Sequence, residues 1–310
     1  MVRTLKSCLF FIGVLLTMTA NAGFVKGMIA SDNGDYETAF IEFSSVEEGD
    51  FDYPHAQGMI GSLYYFGALP RNYEKAFIHS KIAAEAGQEA SQLLLGKMYM
   101  LGRGIEKNDA QSAMWFERAA SQGEAMSQMF LAAAYSVGRG VEKNTLTAAN
   151  WAHKSAEQGN EGSMFLLGGL YRNGGDGLDV DYKKAVKWFR LAADQGNSNA
   201  QAELASMYFG GEGVLQDYEE AFKWFKRAAE QGDDSAQGKL GIMYMTGSGI
   251  SKDLVRAHMW LNLARYNGWQ APGGRNLRDE VAQELTAYDL MKAQRLAKGC
   301  LERNYQECFD

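Results

Sequence analysis

The chain has 310 residues, of which 46% are hydrophobic and 12% aromatic, so it can bury a large core and is not expected to be disordered. Its formal net charge of −7 argues against a broad basic surface for nucleic acid or anionic membranes. Three prolines against thirty-five glycines favour a helical protein whose helices end in tight turns.

Residues 1–22 have the features of a secretory signal peptide. An arginine and a lysine precede nine apolar residues, and the small-x-small sequence Ala-Asn-Ala ends at Ala22. The apolar run is much shorter than the roughly twenty residues that span a membrane, and an uncleaved anchor is the alternative interpretation. We expect cleavage after Ala22, no membrane insertion of the mature chain, and a periplasmic or secreted destination. Cleavage leaves 29 basic and 38 acidic residues.

A degenerate helix pair is predicted over residues 23–52. Asp35 precedes Ala39 by the same four-residue offset that the following repeats use to begin a helix. We expect this pair to cover the N-terminal hydrophobic face of the array, because repeat arrays need atypical units at their ends.

Residues 53–271 contain six repeats of about 36 residues. Three residue types recur with this one period, which chance does not produce. They are Tyr64, Tyr99, Tyr135, Tyr171, Tyr208 and Tyr244; Trp115, Trp151, Trp188, Trp224 and Trp260; and Gly87, Gly123, Gly159, Gly196, Gly232 and Gly268.

Each repeat is predicted to form two helices, here called helix A and helix B. Helix A carries a small residue, an aliphatic residue four positions later, a glycine or alanine, and then the repeated tyrosine, which together form one buried stripe. A Gly-x-Gly break ends helix A in four repeats. Helix B follows an N-cap and reads Ala-x-x-Trp-x-x-x-Ala-Ala. The predicted N-caps are Asn72, Asn108, Asn144, Asp181, Asp217 and Asp253.

Residues 272–310 are predicted to form C-terminal capping helices, the last of which begins after Thr286. Cys300 and Cys308 are the two cysteines that remain after signal cleavage. We expect a disulfide between them in an oxidising compartment, and two free thiols are the alternative.

The pattern A-x-x-x-L-G-x-x-Y-x-x-G-x-G-V-x-x-D-x-x-x-A-x-x-W-x-x-x-A-A-x-x-G resembles that of the Sel-one-like repeat family, which is related to tetratricopeptide repeats. Residues 200–232 match almost every signature position, with Ala205 in place of a glycine. The resemblance implies an all-α fold, an α/α solenoid in the form of a right-handed superhelix with helices A on its concave side. It also implies binding to other proteins and no one defined chemistry.

Motifs that would indicate catalysis, a cofactor or a metal site are missing from the sequence. It contains no Ser-x-x-Lys, Gly-x-Ser-x-Gly, His-Glu-x-x-His or Cys-x-x-Cys, and its Gly-x-Gly breaks lack the third glycine of nucleotide-binding loops. No pair of its four histidines has the i,i+4 spacing of metal ligands. We therefore expect a protein that is not an enzyme and that binds neither a cofactor nor a metal.

Cysteine-rich secreted members of the same family have been linked to binding or hydrolysing penicillin-like compounds, and they carry a Cys-x7-Cys pair in each repeat. This chain has that spacing once, between Cys300 and Cys308, and outside the repeats. The departure weakens the enzymatic interpretation.

Two positions on helix A vary from repeat to repeat, namely the residue after the repeated tyrosine and the residue before the aliphatic one. Aromatic, Met and Arg side chains at such positions suit partner binding. Packing between neighbouring helices A is the alternative interpretation of the same side chains. The predicted partner-binding residues are Tyr65, Met100, Phe130, Arg172, Phe209 and Met245.

These observations predict an exported adaptor whose groove binds another protein or an extended peptide. Two alternatives stay open. One is a structural component of an envelope machine, such as a flagellar motor or a polysaccharide-export apparatus. The other is an enzyme that acts on cell-wall compounds.

Overall fold

The structure, a computed structural model, describes residues 21–305 and residue 308. Over that part of the chain it has sixteen α-helices, a short 3-10 helix at Pro272–Gly274 and no strand, which confirms the all-α prediction. The helices are α1 (Ala22–Asp32), α2 (Tyr36–Ser44), α3 (Tyr53–Phe66), α4 (Tyr73–Glu85), α5 (Glu89–Leu101), α6 (Asp109–Ser121), α7 (Ala125–Val137), α8 (Thr145–Glu157), α9 (Glu161–Asn173), α10 (Tyr182–Asp194), α11 (Ser198–Gly210), α12 (Tyr218–Ala229), α13 (Asp234–Thr246), α14 (Leu254–Tyr266), α15 (Leu277–Glu284) and α16 (Ala287–Glu302).

The described residues form two compact units that divide between Asn144 and Thr145, here called unit 1 (residues 21–144) and unit 2 (residues 145–305 and residue 308). In unit 1, each helix from α1 to α7 packs against the next one in the sequence. In unit 2, the helices from α8 to α14 do the same, and α15 and α16 both pack against α14. Each unit is therefore a stack of antiparallel helical neighbours, in which odd-numbered helices from α3 to α13 are helices A and even-numbered ones from α4 to α14 are helices B.

Polar side chains begin the B helices as the sequence predicts. In five repeats the Asn or Asp side chain accepts a hydrogen bond from the backbone N–H three residues later, at 2.9 Å in each case. This bond satisfies one of the four N–H groups that a helix start leaves without a partner. The five confirmed N-caps are Asn72, Asn108, Asp181, Asp217 and Asp253.

The repeated aliphatic and alanine positions form the core of both units. The aliphatic side chain of helix A is almost completely buried in all six repeats, and so is the last alanine of helix B. Trp115, Trp224 and Trp260 are buried, whereas Trp151 and Trp188 are half-buried. The buried aliphatic residues are Ile60, Leu95, Leu131, Leu167, Leu204 and Leu240.

The glycine beside the buried stripe lets helices A and B approach closely. A Cβ atom on Gly168 would collide with the ring of Phe189, and one on Gly96 would collide with the ring of Phe116. The glycine inside helix A thus makes room for an aromatic ring of helix B, and this packing offsets the low helix propensity of glycine.

A ladder of buried glutamines ties the helices together and is not anticipated by the sequence analysis. In unit 1, the Gln92 amide donates to the Ala84 carbonyl at 3.1 Å and its oxygen accepts from Gln122 at 2.8 Å. The same arrangement recurs in unit 2 at Gln201, which bonds to the Ala193 carbonyl and to Gln231. One side chain therefore joins three successive helices, and buried polar groups of this kind are costly to leave unpaired.

The two ends of the described chain differ from the repeats. Residues 1–20 of the predicted signal peptide lie outside the described residues. Asn21 caps α1, and its backbone N–H donates to Asp52, which is 4% exposed, at 2.7 Å. At the other end, a disulfide joins Cys300 in α16 to Cys308.

Candidate functional site

The six predicted partner-binding residues lie on helices A, and they differ in how much surface they offer. Tyr65 is only 7% exposed, so its ring belongs mainly to the core of unit 1. The other five are half-buried, which leaves part of each side chain accessible from solvent: Met100, Phe130, Arg172, Phe209 and Met245.

Unit 1 contains a cavity of about 350 Å³ that brings two of these residues together. Met100 comes from the end of α5 and Phe130 from the middle of α7, and α6 contributes residues between them. We call this cavity the unit 1 pocket. Its lining residues are Met100, Asp109, Ser112, Ala113, Phe116, Phe130, Ala133, Ala134, Ser136, Val137 and Arg139.

Phe130 is held in place by an aromatic partner and a cation. Its ring stacks on that of Phe116, with centroids 4.8 Å apart and an angle of 18° between the planes. The ammonium of Lys97 lies 5.5 Å from the Phe130 centroid and donates to the sulfur of Met126 at 2.9 Å. Burial lowers the pKa of Lys97, and the nearby Glu124 carboxylate acts in the opposite direction.

The pocket has two charged lining residues, Arg139 and Asp109. The Oδ2 atom of Asp109 lies 3.7 Å from the ammonium of Lys107, whereas Oδ1 is buried without a hydrogen-bond partner. The Arg139 side chain is exposed, and it makes no hydrogen bond or ion pair with any residue that the structure describes. A guanidinium with five N–H donors is therefore available at the rim of an apolar cavity.

Arg103 occupies the position in the preceding repeat that Arg139 occupies in its own, and it is differently placed. Its guanidinium donates to the hydroxyl of Tyr65 at 3.0 Å and lies 5.4 Å from the ring centroid of Tyr73. The hydrogen bond to Tyr65 raises the pKa of Arg103. This arginine therefore has partners within unit 1.

In unit 2, Arg172 is engaged by two carboxylates of the same unit. Its guanidinium lies 2.5 Å from Glu203 and 3.0 Å from Glu212. Phe209 contacts the edge of Tyr218 with centroids 5.0 Å apart, and Lys239 lies 5.9 Å from the Phe209 centroid. Arg172 is therefore paired with carboxylates, and Phe209 contacts an aromatic ring and a cation, all within unit 2.

The histidines do not form an acid–base or metal constellation. His79 bonds to Gln57 at 2.6 Å, His153 to the hydroxyl of Tyr171 at 2.9 Å, and His55 to Gln88 at 2.9 Å. Burial lowers the pKa of His79, of His153 and of the core residue His258. Among the described residues no three His, Cys, Asp or Glu side chains are grouped to hold a metal ion.

A second cavity, of about 470 Å³, lies in unit 2 between the end of α14 and the start of α15. Two of its arginines are already paired, Arg275 with Glu280 and Arg278 with Asp279. In the part of the chain that the structure describes, no helix is both long and apolar enough to cross a membrane.

The Sel1 repeat pattern matches six consecutive segments of the chain, residues 54–88, 90–124, 125–160, 162–197, 198–233 and 234–269. A Sel1 repeat protein from Oxalobacter formigenes has a similar crystal structure, with 31% identity and a TM-score of 0.65 over 78% of this chain and 98% of that one. None of the curated proteins matches the chain.

Two further solved structures are more distant. The protective antigen c5321 of uropathogenic Escherichia coli, described as displaying an SLR fold, is 24% identical, with a TM-score of 0.37 over 93% of this chain and 85% of that one. The immunity protein Pa5087 of Pseudomonas aeruginosa is 17% identical, with a TM-score of 0.41 over 72% of this chain and 85% of that one. The six matched segments and the O. formigenes structure show that the chain belongs to the Sel1 repeat family, with the solenoid fold that this implies.

Proposed function

We propose that this protein is an exported adaptor that binds another protein or an extended peptide through its helices A. Sel1 repeats typically serve as scaffolds for protein–protein interaction. The observation that supports a binding role most strongly is the unit 1 pocket, where the half-buried Met100 and Phe130 line an apolar cavity beside the exposed Arg139. A cavity of this size with few polar groups is typical of ligand sites.

Export follows from the signal peptide predicted at residues 1–22. Cleavage after Ala22 gives a mature chain that begins at Gly23. Intact mass of the protein purified from its native host tests this, and a mass that includes Arg3 and Lys6 would contradict export by cleavage.

Capture from an envelope extract tests the binding role. The wild-type protein and a Leu215→Gln control, changed at a side chain that is 91% exposed and distant in sequence from the pocket, are expected to retain the same partner. Phe130→Gln is expected to lose it while keeping a similar melting temperature. Equal capture by all three proteins would contradict binding through this surface, and a large fall in melting temperature would assign Phe130 to the core.

We further propose that the protein has no catalytic activity, in keeping with the general role of Sel1 repeats. Purified protein is expected to leave β-lactams intact. Turnover that a point mutation abolishes would overturn this proposal and favour the enzymatic alternative. Sedimentation with a flagellar or polysaccharide-export complex would instead favour the structural alternative.

A further inference from the structure

The three residues Met100, Phe130 and Arg139 occupy repeat positions that recur elsewhere in the chain. They are the residue after the repeated tyrosine, the residue before the aliphatic position of the next repeat, and the residue between the glycines of that next repeat. Two repeats later, in unit 2, the same three positions are Arg172, Glu203 and Glu212. These positions have the same place in the repeat, so the neighbours of the two sets can be compared directly.

In unit 2 the side chains at the three positions form ion pairs with one another. Arg172 lies 2.5 Å from Glu203 and 3.0 Å from Glu212, so one cation is held between two carboxylates. In the first two repeats of unit 1 the equivalent pair is Tyr65 and Arg103, and the arginine donates to the tyrosine hydroxyl at 3.0 Å. In both sets the charged side chains are therefore paired with other members of the same set.

In the unit 1 pocket, the equivalent residues do not provide a partner for the charged side chain of Arg139. Met100 offers no acceptor that matches a guanidinium, and Phe130 contributes an apolar ring that rests on Phe116. The Arg139 side chain has no ion pair or hydrogen bond among the described residues. Asp109 makes an ion pair with Lys107 through Oδ2 only, and its Oδ1 is buried without a hydrogen-bond partner. The cavity of about 350 Å³ lies among these residues.

From this comparison we propose that the unit 1 pocket binds an acidic peptide segment that carries a large apolar side chain. The apolar side chain occupies the cavity against Met100 and Phe130, and a neighbouring Glu or Asp of the peptide supplies Arg139 with the carboxylate that Glu212 supplies to Arg172 in unit 2. The proposal rests on the proposed binding function and specifies its partner by charge and shape. Arginine suits this role because its planar donors can hold a carboxylate through two parallel bonds.

The probe is a series of fluorescein-labelled twelve-residue peptides with a central Phe flanked by Glu in a Gly/Ser background. One matched peptide has Gln in place of Glu, and another has Ala in place of Phe. Binding to the full-length purified protein is measured by fluorescence polarisation at low and high salt. The Glu/Phe peptide is expected to bind, and the Gln peptide, the Ala peptide and high salt are each expected to weaken binding by about tenfold.

Two pocket variants and one control distinguish specific binding at the pocket from nonspecific binding of the peptide. Met100→Glu supplies Arg139 with an internal carboxylate, so it is expected to abolish peptide binding while the melting temperature stays the same or rises. Arg139→Gln is expected to weaken binding about tenfold and to remain folded, because the side chain is exposed. Leu215→Glu, at a 91% exposed side chain of unit 2 that is not among the predicted partner-binding residues, is expected to bind like the wild type.

The proposal is overturned if no peptide binds, if the Gln and Glu peptides bind equally, or if both Met100→Glu and Arg139→Gln bind like the wild type. These results leave the proposed function standing whenever the wild type still captures a partner from the envelope extract. Conversely, specific binding of the peptide without capture of a partner from the envelope extract would contradict the proposed adaptor function. It would still support the proposed peptide specificity of the pocket.

Discussion

The guanidinium of Arg172 lies 2.5 Å from the carboxylate of Glu203, which comes from the helix A of the following repeat. Glu212 adds a second carboxylate at 3.0 Å, so the cluster joins α9 to α11 and to the turn after α11. About a third of each side chain is exposed, and water and salt therefore screen the attraction.

Replacing Arg172 by Met, the residue at the equivalent position 100, is expected to destabilise the protein modestly. The change leaves two carboxylates facing each other without a cation, and we expect a loss of about 1 kcal/mol in the free energy of unfolding. Urea denaturation at low salt measures it, and the loss is expected to shrink in 0.5 M NaCl as screening weakens the repulsion. A loss that does not change with salt would show that packing of the arginine stem, and not charge, holds the cluster together.

Gly140 is expected to tolerate no side chain. Its φ of 72° favours glycine, and a Cβ atom there would collide with the backbone carbonyl of Asp109 at the start of α6. Gly140→Ala should therefore cost about 1–3 kcal/mol more than Gly123→Ala, whose φ is 105° but whose surroundings are open. Thermal denaturation of the two variants gives the comparison, and equal melting temperatures would contradict a close approach at Gly140.

The buried side chain of Gln92 is expected to contribute to the free energy of unfolding. Gln92→Ala removes the hydrogen bonds to the buried Ala84 carbonyl and from the Gln122 amide, and we expect a loss of about 1–3 kcal/mol for the two bonds together. Gln283→Ala, at an exposed position of α15, serves as the control and is expected to change stability by less than about 0.5 kcal/mol. Equal urea midpoints for the two variants would show that the glutamine ladder does not stabilise the stack.

Stability is expected to fall as the pH drops below the ordinary pKa of histidine. Burial lowers the pKa of the 4% exposed His258, Arg278 lowers it further, and Asp279 opposes them. The unfolded chain then binds a proton that the folded chain resists, so acid favours unfolding once the pH passes below about 6.5. His79 and His153 act in the same direction because burial lowers their pKa as well.

Melting temperatures recorded from pH 7.5 to pH 5 test this prediction, with His258→Gln as the variant. The slope in that window is expected to be smaller in the variant than in the wild type. A wild-type melting temperature that rises towards pH 5 would contradict the sign of the pKa changes.

Much of the fold could be predicted because its determinants are local and repeated. A period of 36 residues, Asn or Asp before each helix B, and glycine beside the buried stripe are all visible in the letters alone. The N-caps at Asn72 and Asp253, for instance, needed no knowledge of distant residues.

The site could be predicted only in part, because pairing across repeats is not local. The sequence pointed to Met100, Phe130 and Arg172, but it did not reveal that Glu203 and Glu212 neutralise Arg172. It also gave no weight to the residue between the two glycines, although Arg103, Arg139 and Glu212 stand there. Comparing that position across repeats would have found the charged residues, and the distances were needed to show which of them are already paired.

Site-specific photo-crosslinking in the native host tests the adaptor role most directly. A benzoylphenylalanine is placed at position 100, in the unit 1 pocket, or at position 215, a side chain that is 91% exposed in the turn after α11. The account predicts a discrete crosslinked partner from position 100 whose yield falls when Arg139→Gln is added, and none from position 215. No adduct from position 100, or the same adduct from both positions, would contradict partner binding at the pocket.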